Sequence, residues 1–564
     1  MTQSPHSVNY PAFRPVVMGQ KGMICSGHPL ASQAGISVLQ MGGNAVDAAI
    51  AVASVLNVVE PHMSGIGGDG YIMIYDKARR RLTVANATGA APYAATREKY
   101  LPTGIPFKGV LSVSVPGLLK GWTEAHQLYG KMTLGVLLER AIELADCGFP
   151  VTHKLVTSIS NDRMLREFPS SRSIFTRNGQ PLAPGELLYQ HDLASTFRKI
   201  VAEGADIFYS GAIANAIVDF VSAQGGLLTS KDLSDFHVRW ENPISTTYRG
   251  YTVYEAPPNS SGHVLLQELN ILEHFDMGKL GCNTDSSIHT MVEAKKLAFA
   301  DRETYLADPE FVDVPIKGLL SKEYAKERAL LINPDRAATV AYSGNPMNHH
   351  TTPNTGPISN LVTLEEDTTC FCIVDQWGNA VVQLQSLQSA FGSSLVVPDT
   401  GILLNNRMTY WHLEKEHVDC LEPGKRVRHT MNPVMIFDMV QGEEQLLLAC
   451  GTPGADTQVQ TNLQVISHIL DFGMNVVEAV EAPRWRHIQN QTESTYPHIS
   501  EDILEMEGRF SPDIRNVLKR KGHSLGILGD WEAAGSEMMI QIDSGKGTLY
   551  GGADPRRDGY ALGL

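Results

Sequence analysis

The 564 residues contain no run long and apolar enough to span a bilayer. Basic residues are also in short supply. The 46 Lys and Arg stand against 61 Asp and Glu, a net charge of −15, so no basic face can be assembled for a nucleic acid or an anionic membrane. Cysteine is sparse: Cys25, Cys147, Cys282, Cys370, Cys372, Cys420 and Cys450 are scattered and imply no disulfide framework. Cys370-Phe371-Cys372 lacks the two-residue gap of common zinc sites and has no second Cys or His pair at a suitable distance, so no metal is expected. The first 25 residues hold Pro5, Pro11 and Pro15 but no apolar segment of the kind a secretory signal carries. The expectation is a cytoplasmic protein. With 43% hydrophobic and 19% charged residues the chain is globular, and its length makes more than one domain the default.

What is present is a succession of helices and strands punctuated by glycine. Residues 30–41 have helical spacing and stop at Gly42-Gly43. Asn44 then caps a second helix of Ala and Val running towards Pro61, a surface suited to burial against a sheet. Gly65-Ile66-Gly67-Gly68-Asp69-Gly70 formally matches a dinucleotide fingerprint, but its glycines follow a helix and precede a strand at 71–75. That is the reverse of the order a nucleotide-binding turn requires, and a tight turn is expected instead. Helical periodicity returns over 118–147, 187–224 and 284–306, with a hairpin over 246–256. Residues 335–360 are rich in Ser, Asn, Thr, Pro and His, the composition of a mobile linker or of an ordinary surface loop.

The stretch around which the chain is organised follows: Glu365-Glu366-Asp367-Thr368-Thr369-Cys370-Phe371-Cys372-Ile373-Val374-Asp375. Three acids run into two threonines and then a strand. Taken alone it has two accounts. Either the threonines simply begin a strand, or the chain is cut between Asp367 and Thr368, leaving Thr368 with a free α-amine beside its own hydroxyl. Such an amine titrates at about pH 8 and can take the hydroxyl proton, so that one residue supplies nucleophile and base. Residues 371–375 and 380–388 flank Gln376-Trp377-Gly378-Asn379 as a hairpin. A loop of 376–378 pairs Asp375 with Asn379 and sets Ser386 opposite Thr368; a slip by one sets it opposite Thr369. Further on, 447–456 reads as a strand and a glycine turn before a helix over about 458–470. Backbone N–H groups freed at such a turn can hold a developing oxyanion.

Together these segments resemble the γ-glutamyltranspeptidase family of N-terminal nucleophile hydrolases. A Thr-Thr pair, an Asp seven residues after the first Thr and a Gly-Asn turn are similar to that family's cleavage site, here Thr368, Thr369, Asp375, Gly378 and Asn379. Segments 42–49, 64–68, 113–117, 257–262 and 401–406 resemble family segments in family order, so the resemblance covers almost the whole chain. It implies an α+β fold, the four-layer αββα sandwich, shared between two autoprocessed fragments. The large one, 1–367, would end in a flexible linker of about 335–367 and pair as a heterodimer with the small one, 368–564, which begins with the nucleophile. It further implies an acyl-Thr368 intermediate, Ser386 supporting the nucleophile, and an oxyanion held by the N–H groups of Gly454 and Ala455, where the family has two glycines. No metal or cofactor enters. Asp554-Pro555-Arg556 also resembles the family and reads as structural.

The residues that grip the glutamyl group in the family are mostly changed here. The Arg that pairs with the α-carboxylate aligns with Thr88, the Asp that holds the α-amine with Tyr410, the Asn with Gln388, and the paired serines with His429 and Thr430. Thr369 is kept, whereas Cys370 replaces the His after it. An uncharged hydroxyl cannot replace a bidentate guanidinium. Arg407, in place of a Gln, is either a new carboxylate partner or a solvated side chain. The stretch between Tyr410 and Lys425 is shorter than the lid of familiar members by roughly ten residues, so a more open entrance is expected, with Trp411–His417 a polar loop on one aromatic anchor. The leading expectation is an amidohydrolase for a small amide that carries a carboxylate and lacks an α-amine; some divergent branches of the family act on oxamate or on acylated β-lactam amines. The alternatives are an authentic γ-glutamyl hydrolase or transpeptidase acting on glutathione-like amides, and an unprocessed, inactive homologue with a binding role. Nucleic-acid and membrane partners are not expected, and a higher oligomer is left open.

Overall fold

The structure, a computed structural model, describes residues 12–347, 366–489, 492, 494–496, 498 and 500–564. Helix α1 (Pro29–Gln40) ends where Gly42 takes a φ of 93°. Helix α2 (Ala45–Val59) starts at Asn44, whose side chain accepts from the N–H groups of Val46 and Asp47 while Asp47 accepts from the Asn44 N–H at 2.9 Å. Every residue of α2 is buried, which is why its sequence runs to Ala and Val. The helical stretches at 118–147 and 187–224 are each divided, the first into 118–129 and 134–147 and the second into 191–203, 206–210 and 212–223. Gly130, Gly204 and Gly211 mark the breaks.

Two seven-stranded sheets form the middle of the molecule. In chain order their strands are β1 (Val17–Gly19), β2 (Gly22–Ser26), β3 (Asp69–Asp76), β4 (Arg81–Ala87), β5 (Arg239–Glu241), β6 (Ile244–Tyr248) and β7 (Tyr251–Glu255). They continue with β8 (Glu366–Asp375), β9 (Ala380–Ser389), β10 (Val434–Val440), β11 (Glu443–Gly451), β12 (Met538–Asp543), β13 (Thr548–Ala553) and β14 (Tyr560–Gly563). One sheet runs β14-β2-β8-β9-β3-β4-β5, the other β1-β13-β12-β11-β10-β7-β6, and neighbouring strands are antiparallel.

Strand alternation sorts the side chains into layers. Phe371 and Ile373 of β8 join α1 and α2 in one core, while Cys370, Cys372 and Val374 meet Met435, Ala449 and Ile540 of the second sheet in another. The far face of the second sheet, with Ile436, Leu448 and Met539, packs on α3 (Gly262–Leu272), α4 (Asp285–Tyr305) and α5 (Thr457–Leu470). The layers are therefore helix, sheet, sheet, helix, as the family resemblance implies.

Part of the expected linker is fastened down. The Ala338 N–H donates to Glu293 at 3.0 Å, the Gly344 N–H to Asp301 at 2.8 Å, and Arg328 holds the Tyr342 carbonyl at 2.7 Å. Residues 348–365 of that linker lie outside the described residues. Among the described residues no helix is long and apolar enough to cross a membrane.

Candidate active site at the head of a central strand

From Thr369 inwards the hairpin has the expected register. Thr369 pairs with Gln385, Val374 with Ala380, and the Asp375 N–H donates to the Asn379 carbonyl at 3.0 Å. At Thr368 the ladder is interrupted: Asp367 pairs with Gln388, so Ser386 and Leu387 together face the single residue Thr368. Leu387 turns its N–H to the Met63 carbonyl at 3.1 Å, and Gln388 takes a φ of 90° to complete the bulge. Thr368 Oγ1 donates to Ser386 Oγ at 3.2 Å, Ser386 Oγ donates to the Asp367 carbonyl oxygen at 2.9 Å, and the Gln388 N–H donates to Ser386 Oγ at 2.8 Å. One serine thus touches the hydroxyl and the carbonyl on either side of the 367–368 peptide bond. Thr368 is 3% exposed.

Ser386 pairs on its other side with Asp69 of β3. Asp69 accepts from Arg407 Nη2 at 3.1 Å and lies 3.1 Å from His429 Nε2. Burial alone would raise the Asp69 pKa; the Arg407 guanidinium and His429 outweigh it and hold the carboxyl below its usual range. His429 is pushed down to about 4, first by burial and then by Arg407. Tyr410 closes the group, its ring 4.8 Å from the Arg407 guanidinium and its hydroxyl 3.4 Å from Thr430 Oγ1. Arg407 is therefore not the solvated side chain that one account allowed; it is 1% exposed and committed to Asp69. Thr88 is consumed inside the fold, donating to Asn86 Oδ1 at 2.6 Å and accepting from Asn259 Nδ2 at 3.2 Å.

Thr369 points elsewhere. Its Oγ1 donates at 2.7 Å to Oε2 of Glu60, the residue that ends α2. Burial pushes Glu60 up to about 7, against the opposing pull of the Thr369 hydrogen bond and of Arg557. Arg557 donates from Nη2 to Asp367 Oδ1 at 3.1 Å and from Nη1 to the Thr368 carbonyl at 3.4 Å. Its neighbour Arg556 is locked in a buried knot of charge, holding Glu507 at 2.7 and 2.8 Å and Asp554 at 3.1 Å.

Beyond β11 the chain turns through Gly454, at a φ of 119°, and Ala455, at 46°, into α5. That left-handed backbone costs an L-residue about 1 kcal/mol. Among the described residues neither N–H makes a hydrogen bond. The turn is tied to the bulge through a short relay. Asp456 accepts from the Ser494 N–H at 2.9 Å and hydroxyl at 2.6 Å, and the next residue, Thr495, accepts from Gln388 Nε2 at 3.0 Å.

The 411–417 stretch keeps Trp411 as its anchor but is less polar in its surroundings than expected. His412 is buried and sandwiched between His417 and His498, ring centroids 3.5 and 3.6 Å apart. Glu303 lies against them; burial raises its pKa, yet Arg428 at 2.6 Å and Arg302 at 3.1 Å override that and hold it well below the carboxylate range. Glu303, His412 and His417 are close enough to share one cation, as are His289, Glu293 and His523. In each group the carboxylate already has a cationic partner, Arg428 or Lys296. Neither group includes Cys370 or Cys372.

A sequence profile of the family described as Gamma-glutamyltranspeptidase matches residues 31–564. The chain is 37% identical over 552 residues to the Glutathione hydrolase-like YwrD proenzyme of Bacillus subtilis (strain 168), across 97% of this chain and 99% of that one. It is 35% identical to the Acylase ACY 1 proenzyme of Pseudomonas sp. (strain SE83), across 99% and 96%. Among solved structures, cephalosporin acylase from Bacillus halodurans superposes with a TM-score of 0.88 at 34% identity, covering 100% of this chain and 99% of that one.

Proposed function

Because the chain belongs to the gamma-glutamyltranspeptidase family, it is an amidohydrolase or acyl transferase. We propose that it cuts itself between Asp367 and Thr368 and then hydrolyses a small amide through an acyl ester on Thr368 Oγ1. The observation that carries this reading is the chain of contacts from the Thr368 hydroxyl through the Ser386 hydroxyl to the Asp367 carbonyl. As Oγ1 attacks the carbonyl carbon, its proton passes to Ser386 and the Ser386 proton passes to the forming oxyanion. Collapse breaks the C–N bond of the 367–368 peptide, the nitrogen takes the proton, and water then hydrolyses the ester to free the Asp367 carboxylate.

The released α-amine is the base for Oγ1 in turnover. The N–H groups of Gly454 and Ala455 serve the substrate oxyanion, each donor contributing about 3 kcal/mol in comparable sites. The departing amine carries the proton away, and water releases the acid. Fragments 1–367 and 368–564 stay together, a reading that the proenzyme names of the relatives support. With Tyr410 in place of the carboxylate that would hold an ammonium, the acyl group best suited to the site has no α-amine; a carboxylate on it would need a partner other than Thr88 and Arg407, which are committed within the fold.

A denaturing gel and intact mass spectrometry test this. The expected result is two fragments meeting at the 367/368 bond, with an acyl adduct on the 368–564 fragment after mixing with an amide substrate. Thr368→Ala should leave one uncut band; two bands from that variant would move the nucleophile elsewhere, and one band from the wild type would favour a binding role. A second reading, a γ-glutamyl hydrolase for glutathione-like amides, is favoured by the name of the Bacillus subtilis relative. Brisk release of p-nitroaniline from γ-glutamyl-p-nitroanilide would select it.

A further inference from the structure

We propose that Arg557 selects the substrate, holding the free carboxylate of a dicarboxylic-acid monoamide in the place that Asp367 occupies before the cut. The inference rests on the acyl-Thr368 chemistry above and adds the identity of the acyl group. Maturation and turnover pass through the same functional group at the same oxygen, an ester on Thr368 Oγ1. In maturation its acyl part is Asp367 itself, so the group that holds the Asp367 side chain in the uncut chain lies within reach of an incoming acyl chain. That group is Arg557, on the side-chain carboxylate.

The Asp367–Arg557 pair is largely withdrawn from water, with side chains 11% and 18% exposed. Among the described residues it is the only ion pair Arg557 makes. When the ester is hydrolysed and Asp367 leaves, a guanidinium remains beside the nucleophile with its counter-ion gone, a state that an entering carboxylate relieves. Arg557 is also well placed to keep its position, because Arg556 before it is fixed by Glu507 and Asp554, and its own Nη1 rests on the Thr368 carbonyl. Neighbouring Glu60 feels the guanidinium, which lowers its pKa, but among the described residues it makes no ion pair with Arg557. Two other cations near the site are already paired, Arg407 with Asp69 and Lys108 with Asp162.

Asp367 also sets a length. In an aspartyl ester two carbons separate the ester carbonyl from the carboxylate, so a succinyl amide reproduces the spacing and a glutaryl amide exceeds it by one carbon. A γ-glutamyl group has the glutaryl spacing but brings an ammonium next to its carboxylate, where the guanidinium repels it. The reaction balances as before: the C–N bond of the amide breaks, the amine leaves with the Thr368 proton, and water converts the ester to the free dicarboxylate.

The test uses the mature wild-type enzyme with the p-nitroanilides of succinate, glutarate, butyrate and γ-glutamate. Succinyl should exceed butyryl in kcat/KM by ~30-fold or more, mostly through KM. In Arg557→Gln the succinyl-to-butyryl ratio should fall towards one, and in Arg557→Lys it should recover in part. If Arg557→Gln fails to cut itself, the wild-type series still decides. Equal kcat/KM for succinyl and butyryl amides, with an acyl adduct from both, would overturn this inference while leaving the amidohydrolase reading intact. A succinyl preference that survives in Arg557→Gln would also overturn it, by assigning the carboxylate to another residue. No adduct from any anilide would remove the amidohydrolase reading and this inference with it.

Discussion

Ser386 Oγ accepts from Thr368 and from the Gln388 N–H and donates to the Asp367 carbonyl, which uses the whole hydrogen-bonding capacity of a serine hydroxyl. Ser386→Ala removes the proton path and leaves the carbonyl oxygen without a donor. Self-cleavage should slow by ~100-fold or more, read as persistence of the full-length band over time. Glu60 gives a pH signature. Burial lifts its folded pKa to about 7, above the ordinary glutamate value of 4.5, so the folded state binds the proton more tightly than the unfolded state. The stabilisation is complete below pH 4.5 and is lost as pH rises through 7, by up to about 3 kcal/mol. Glu60→Gln should flatten that part of the stability–pH curve; a wild-type curve of the same shape would contradict it. That Ser386 faces Thr368 was one of two registers legible in the hairpin's loop length and two-residue period; the roles expected of the two residues came from the family resemblance. Asp69, Glu60 and Arg557 were not legible. Their partners at the site are 190 to 338 residues away in the chain, and nothing local marks them.

The hairpin loop joins strand β8 to the buried helix. Asp375 Oδ1 accepts from the N–H groups of Trp377 and Asn379, while Oδ2 accepts from the Ala45 N–H in the first turn of α2 and from Asn379 Nδ2. Replacing Asp375 by Ala strands several buried donors at once. A loss of about 2–4 kcal/mol is expected, seen as a lower urea midpoint with unchanged slope. The elements themselves were largely readable: the Asn44 cap, the Gly42 stop and the Gly378-Asn379 turn each act through local backbone geometry. The bulge at Thr368 was not, because it is imposed by Leu387 reaching out of the ladder to Met63. Nor was the stacking of His412 between His417 and His498, which brings together two separate loops.

Across the whole molecule, the two expected fragments are interleaved. Strand β8 lies between β2 and β9, β14 lies outside β2, and in the second sheet β10–β13 are enclosed between β1 and β7. A cut at 367/368 therefore breaks one peptide bond and no layer. The fragments should co-elute under native conditions and unfold in a single transition; separate elution, or two transitions in calorimetry, would show that the sheets are not shared. This layering could not be read from periodicity, because alternation tells which side chains share a face of a strand but not which sheet or helix covers that face.

The distance in sequence between Asp367 and Arg557, 190 residues, also makes manufacture a clock. When a ribosome has just passed Thr368, the 367–368 peptide bond exists but the arginine that contacts both of its residues has yet to be translated. A cut at 367/368 that depends on this arginine would wait until late in synthesis, and pulse labelling should then reveal intact precursor before either fragment.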